Sequence, residues 1–395
     1  MTAPLQRRGP RPLLLHLTLA MMRSSASRAA SLNWKHAWPN SNEAMAAAVR
    51  EALEAGAAGA FPAAVWEETL RQDAALIEGI AAYRRHPWQR DLPDPPAVWQ
   101  EGGSRVLDYG GEGPRVLFAP SLVNRAYVLD LAPDHSMLRW LAGQGVHPLL
   151  LDWGWPGETE RRFTLTDYVA GRLERALVAA GAGTVLAGYC MGGTLAVAAA
   201  QRRPDLVRAL ALLAAPWDLH APDPTVAIQA AEMLPLIEPA LAFNETLPVD
   251  LLQVLFALLD PWGVADKYRS FARQDPAGER ARLFVALEDW LNDGVPLAAP
   301  VARECLAGWY GANTPARGEW RIAGLAVDPR ALRLPCFVAA PARDRIVPPE
   351  SARPLAALID GAALIEPAAG HIGMAAGHSA KRVLWEPFRN WVLKI

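Results

Sequence analysis

The segment Gly188-Tyr189-Cys190-Met191-Gly192-Gly193-Thr194 holds the side chain best placed for covalent chemistry. A thiolate attacks carbonyl carbon readily, provided its surroundings favour ionisation. The apolar run Gly183–Gly188 reads as a strand leading directly to Cys190, and Gly193–Arg202 reads as the helix that follows. A nucleophile on such a tight strand-to-helix turn needs small residues two positions before and after it, because strand and helix pass close together. Gly188 and Gly192 stand at those positions, and Gly193 adds room. The turn puts the sulfur at a helix N-terminus, where the helix dipole and a neighbouring imidazole both favour the thiolate. The backbone N–H of Met191 then faces the acyl oxygen as one oxyanion donor. A second is expected from Pro120-Ser121-Leu122-Val123, at Leu122 or Val123. The plain alternative is a buried structural cysteine in a glycine-rich turn.

An acid and a histidine should follow the nucleophile in that chain order. The apolar strand Cys336–Ala340 runs into Pro341-Ala342-Arg343-Asp344-Arg345-Ile346-Val347-Pro348, which puts Asp344 just past the strand's C-terminal end. There it would hold the imidazole tautomer and stabilise its cation. The alternative is a loop carboxylate paired with Arg343 or Arg345. Of eight histidines, His371 alone follows both nucleophile and acid in a loop after a strand, Ala363–Glu366. Cys190, Asp344 and His371 are therefore the expected triad. Cys305 and Cys336 read as apolar core residues.

These positions need a scaffold of alternating strands and helices. Arg105–Tyr109 and Arg115–Ala119 read as a pair of strands joined by the turn Gly110–Gly113. They are followed by a helix over Ser136–Gln144, the strand His147–Asp152, a helix over Thr166–Ala180 and, after the elbow, the strand Ala209–Leu213. Short, near-continuously apolar strands between helices describe a mostly parallel central sheet covered on both faces. With the elbow, this predicts an α/β-hydrolase fold over 98–215 and 331–395. Residues 216–330 break the rhythm and read as an inserted helical cap holding Trp217, Trp262, Trp290 and Trp309. Residues 40–97 read as a helical segment. Asn40 or Ser41 caps its first helix, Gly56 and Gly59 break it, and a second helix over Ala63–Tyr83 has Leu70, Ile77 and Ile80 on one face.

The bulk numbers exclude several classes. Of 395 residues, 52% are apolar and 20% charged, with a net charge of −2, which fits a globular protein without a nucleic-acid footprint. Three scattered cysteines form neither a disulfide framework nor a metal-binding spacing, so a reducing, cytoplasmic setting is expected, with no metal. Arg7, Arg8 and Arg11 before the apolar run Leu13–Met22 loosely imitate a secretory signal, but the run is short and interrupted by His16 and Thr18. Residues 1–39 are expected to form a basic tail.

Gly188-Tyr189-Cys190-Met191-Gly192-Gly193-Thr194-Leu195 resembles the modified lipase box of the polyhydroxyalkanoate (PHA) synthases. The likeness extends through Val123–Leu131, Leu151-Asp152-Trp153-Gly154, Thr164–Tyr168, Asp344–Pro348 and Gly370-His371-Ile372-Gly373, over roughly 115–393, and is closer to the short, two-component (class III-like) type. It implies an acyltransferase that polymerises 3-hydroxyacyl-CoA thioesters, with Cys190 accepting the acyl group, His371 as base and Asp344 as its partner. No cofactor is implied, since CoA enters as part of the substrate. A helical partner subunit and association with polymer granules are also implied, and homodimer assembly is left open. The competing expectation is a hydrolase on the same scaffold: a thioesterase, a polyester depolymerase or a dienelactone-hydrolase-like enzyme.

Overall fold

Apolar content on both faces of a strand buries it in the middle of a sheet. In the computed structural model, which describes residues 7–32, 43–55, 59–257 and 259–395, eight strands form one sheet. They are β1 (Ala97–Glu101), β2 (Ser104–Asp108), β3 (Arg115–Ala119), β4 (His147–Asp152), β5 (Thr184–Tyr189), β6 (Val207–Leu213), β7 (Cys336–Ala339) and β8 (Ala363–Ile365). Their spatial order is β1-β2-β4-β3-β5-β6-β7-β8. Every pair from β4 to β8 is parallel, while β1–β2 and β2–β4 are antiparallel. The central strand β5 is buried at all its residues, as are Met191 to Ala200 of the helix after it.

One expected pairing is wrong. β2 and β3 both exist, but β4 lies between them, with Leu151 opposite Val106 on one side and Leu149 opposite Leu117 on the other. The glycines at 110–113 connect strands that are not neighbours. The hairpin partner of β2 is β1, reached through Gly102 at φ 58°, a left-handed conformation that glycine adopts without strain. An apolar pattern identifies strands but carries little information about which strand lies beside which.

Chain contacts divide the protein into two units: residues up to Trp88 with Asp260–Asn292, and Gln89–Leu259 with Asp293–Ile395. In the first, helix Leu13–Leu32 occupies part of the stretch read as a tail, and Arg7 pairs with Asp289 at 2.7 Å. Helix Ala60–Arg85 buries Leu76, Ile80 and Tyr83, whereas Leu70 and Ile77 are exposed. Gly79 lets this helix pass against the Tyr268 carbonyl, where a Cβ would collide. Residues 260–292, read from the sequence as cap, thus contribute Ala265, Tyr268, Phe271 and Val285 to the core of the first unit. The expected caps Asn40 and Ser41, and the break at Gly56, lie outside the described residues.

In the second unit the sheet carries helices Thr225–Glu232, Leu234–Asn244 and Val249–Ala257, then Ala299–Arg303 and the π-helical Glu304–Gly311. Between β6 and β7 lie two short strand pairs, Thr246–Leu247 with Leu297–Ala298 and Arg321–Ile322 with Leu325–Ala326. Among the described residues no single helix is long and apolar enough to cross a membrane.

Candidate active site

Cys190 sits between β5 and its helix at φ 56° and ψ −133°, a conformation that L-residues rarely adopt. Two hydrogen bonds hold it there: its N–H donates to the Leu213 carbonyl on β6 at 2.9 Å, and its carbonyl accepts from Gly193 at 2.8 Å. The flanking glycines are sterically required. A Cβ on Gly188 would collide with the Gly193 backbone, one on Gly192 with the Ala119 and Pro120 carbonyls, and one on Gly193 with the Ala215 side chain. The thiol is half-buried, so the turn presents it without sealing it in.

β7 and β8 deliver the other two groups. Asp344 lies five residues past Ala339, and its Oδ1 accepts from the Ile346 and Val347 N–H groups at 2.8 and 2.9 Å. Its Oδ2 meets His371 Nδ1 at 2.6 Å, with both side chains buried. That bond turns Nε2 away from the carboxylate, and the Cys190 side chain lies close enough to the ring to raise its pKa. Burial disfavours a charged imidazole, but the Cys190 and Asp344 charges outweigh it and push the His371 pKa up to about 10. A base held in one tautomer beside a thiol can shuttle a proton between sulfur and a leaving or attacking group. The structure thus brings together all three residues expected from the sequence.

Tyr189 was not singled out from the sequence. Its ring lies 5.2 Å from that of His371, and its hydroxyl donates to the His371 carbonyl at 3.4 Å. Burial pushes that hydroxyl's pKa well above its ordinary value, which keeps it a neutral donor. Nothing in the residue pattern separates it from any aromatic residue at a strand end.

For the oxyanion, Met191 opens a helix, and the N–H groups of a first helical turn have no acceptor within the helix. The two candidates in the preceding loop differ. The Val123 N–H donates to Ser121 Oγ at 3.2 Å, while the Leu122 side chain is buried. The loop itself is anchored by the buried Trp153, whose Nε1 donates to the Pro120 carbonyl at 2.9 Å.

Cys190, Met191 and Val123 line a mainly apolar cavity of about 350 Å³, walled also by the helices Thr225–Glu232, Val249–Ala257 and Glu304–Gly311. Of the four tryptophans read as part of the cap, Trp309 is in the cavity wall. Trp217 is buried in the core, while Trp262 and Trp290 belong to the other unit, Trp262 at 39% exposure. Cys305, expected as core, is buried yet also lines the cavity, and burial pushes its thiol pKa up. Burial likewise pushes the Cys336 thiol up to about 12.

Residues 114–376 match the family described as the alpha/beta hydrolase fold. The chain belongs to the α/β-hydrolase family. The elbow, acid and histidine of this α/β-hydrolase all fall within the matched segment or its edges. Among curated proteins it is similar to the poly(3-hydroxyalkanoate) polymerase subunit PhaC of Haloferax mediterranei, 30% identical over 307 residues, which cover 74% of this chain and 62% of that protein. The subunit of the same name from Haloarcula marismortui is 28% identical, covering 74% and 63%. That from Allochromatium vinosum is 27% identical, covering 70% and 80%. The α/β-hydrolase chain thus spans less than two thirds of the first two relatives.

Proposed function

We propose that this chain transfers 3-hydroxyacyl groups from CoA thioesters to a growing polyester, with Cys190 carrying the acyl group between steps. The supporting observation is a half-buried thiol in a strained turn beside the His371–Asp344 pair, opening on an apolar cavity. The likeness to named PHA polymerase subunits supports the choice of substrate.

In the first half-reaction the Cys190 thiolate attacks the thioester carbonyl, forming a C–S bond. The Met191 and Leu122 N–H groups receive the oxyanion. Collapse breaks the carbon–sulfur bond to CoA, whose sulfur takes a proton from His371. One thioester replaces another, so little free energy is lost. In the second half-reaction His371 takes the proton of a 3-hydroxyl group as its oxygen attacks the acyl-Cys190 carbonyl. An ester bond forms and the Cys190 thiolate leaves. Asp344 holds the imidazole for both transfers. Water competing for the acyl group is disfavoured by the apolar wall. A helical partner subunit and a polymer granule surface belong to the same proposal.

The test is incubation with 3-hydroxybutyryl-CoA, with and without a candidate partner subunit. CoA release with insoluble polyester supports the proposal. Stoichiometric free 3-hydroxybutyrate would instead identify a hydrolase.

A further inference from the structure

Polar side chains are scarce around the cavity beside Cys190, and one of them has nothing in the protein to bond to. Ser351 lines the cavity and is 3% exposed, yet its Oγ has no hydrogen-bond partner among the described residues. Leaving a buried hydroxyl unpaired is costly, because the group gives up water and receives no partner in exchange. A serine near a helix start ordinarily bonds a neighbouring backbone group. Ser351 stands in the first turn of helix Pro349–Leu358, and its hydroxyl makes no such bond.

The backbone beneath that hydroxyl is fixed. The Ser351 N–H donates to the Pro348 carbonyl at 2.8 Å, and its carbonyl accepts from the Trp217 and Asp218 N–H groups, each at 3.1 Å. The next residue, Ala352, packs with Ala340 and Val347 in a small apolar cluster, and Cys190 lies against that cluster. Ser351 therefore belongs to the wall built just after Asp344, close to the reacting thiol.

A hydroxyl both donates and accepts, so it suits another hydroxyl. The other unpartnered buried group among the lining residues, Trp309 Nε1, only donates and suits a carbonyl oxygen. A plain acyl chain leaves Ser351 unpaired, whereas a 3-hydroxyacyl chain carries a hydroxyl close to the carbonyl that Cys190 attacks. Sites that bond a substrate hydroxyl discriminate strongly against the analogue lacking it, because their own polar group is then left without a partner.

Resting on the acyltransfer reading above, we propose that the Ser351 hydroxyl hydrogen-bonds the 3-hydroxyl of the acyl group transferred to Cys190, and so selects 3-hydroxyacyl over plain acyl thioesters.

The test is first-turnover CoA release by rapid quench, with the full chain in molar excess over 3-hydroxybutyryl-CoA or butyryl-CoA, which differ only in that hydroxyl. The wild type is expected to favour the hydroxy thioester by at least about tenfold. Ser351→Ala should cut that preference by at least about fivefold, by slowing the 3-hydroxybutyryl reaction. Melting temperature separates recognition from a structural role: removal of an unpaired buried hydroxyl should leave it unchanged or raise it. A wild type indifferent to the hydroxyl, a preference that survives Ser351→Ala, or a melting temperature lowered by more than about 3 °C overturns the assignment and leaves acyl transfer intact. Failure of the wild type to release CoA from either thioester defeats the acyltransfer reading itself, and the Ser351 assignment with it.

Discussion

The backbone N–H of Arg343 donates to the carbonyl oxygen of Ala369 at 3.1 Å. Two earlier rungs, Ala340 to Ile365 at 3.0 Å and Ala342 to Pro367 at 2.9 Å, carry the β7–β8 pairing from the strand ends into the loops. The loops carrying the acid and the base therefore leave the sheet in register. That is how Asp344 and His371, 27 positions apart, come to face each other at 2.6 Å.

Asp344→Asn should keep an acceptor for the Ile346 and Val347 N–H groups while losing the carboxylate that fixes the imidazole. A comparable change in a serine triad costs about 10⁴-fold in kcat. CoA release from a 3-hydroxyacyl-CoA is expected to fall by about 10³- to 10⁴-fold with the folded structure retained by circular dichroism. A loss under about tenfold would remove Asp344 from the mechanism.

Gly192→Ala forces a methyl group into the Ala119 and Pro120 carbonyls, backbone that has no rotamer to give. Overpacking of this kind costs about 1–3 kcal/mol, and a value near the top of that range is expected from denaturant titration. Gly373 is the control. It lies in helix His371–Ala376 with nothing within 4 Å of an added Cβ. Gly373→Ala should be neutral or stabilise by up to about 1 kcal/mol.

The raised pKa of His371 has a signed consequence for stability. The folded state holds the imidazole proton up to about pH 10, against an ordinary value of 6.5. This contribution is complete below about pH 6.5 and is lost as pH rises through about 10. Because Cys190 is one source of the rise, Cys190→Ala should lower the His371 pKa in an NMR titration. It should also flatten the fall in thermal stability between those pH values. An unchanged imidazole titration in that variant would separate the two side chains.

Much of the site was legible because its constraints are local. Gly188, Gly192 and Gly193 are the residues a close strand–helix crossing demands, and Asp344 and His371 each follow an apolar strand in the order the fold requires. What was not legible depends on long-range pairing. β4 inserts between β2 and β3, and residues 260–292 complete the core of the N-terminal helices through Tyr268 and Phe271, which no periodicity announces. The contact of the Val123 N–H with Ser121, two residues earlier in the same loop, is likewise announced by no residue pattern. The buried face of helix Ala60–Arg85 departs from its apolar pattern, since Leu70 and Ile77 are exposed while Thr69 and Gly79 are buried.

The most direct measurement is peptide mapping by mass spectrometry after brief mixing with 3-hydroxybutyryl-CoA and acid quenching. The account predicts a 3-hydroxyacyl adduct on the peptide containing Cys190, absent in Cys190→Ala, and consumed when more substrate is added. An adduct confined to Cys305, or CoA release undiminished in Cys190→Ala, would contradict it.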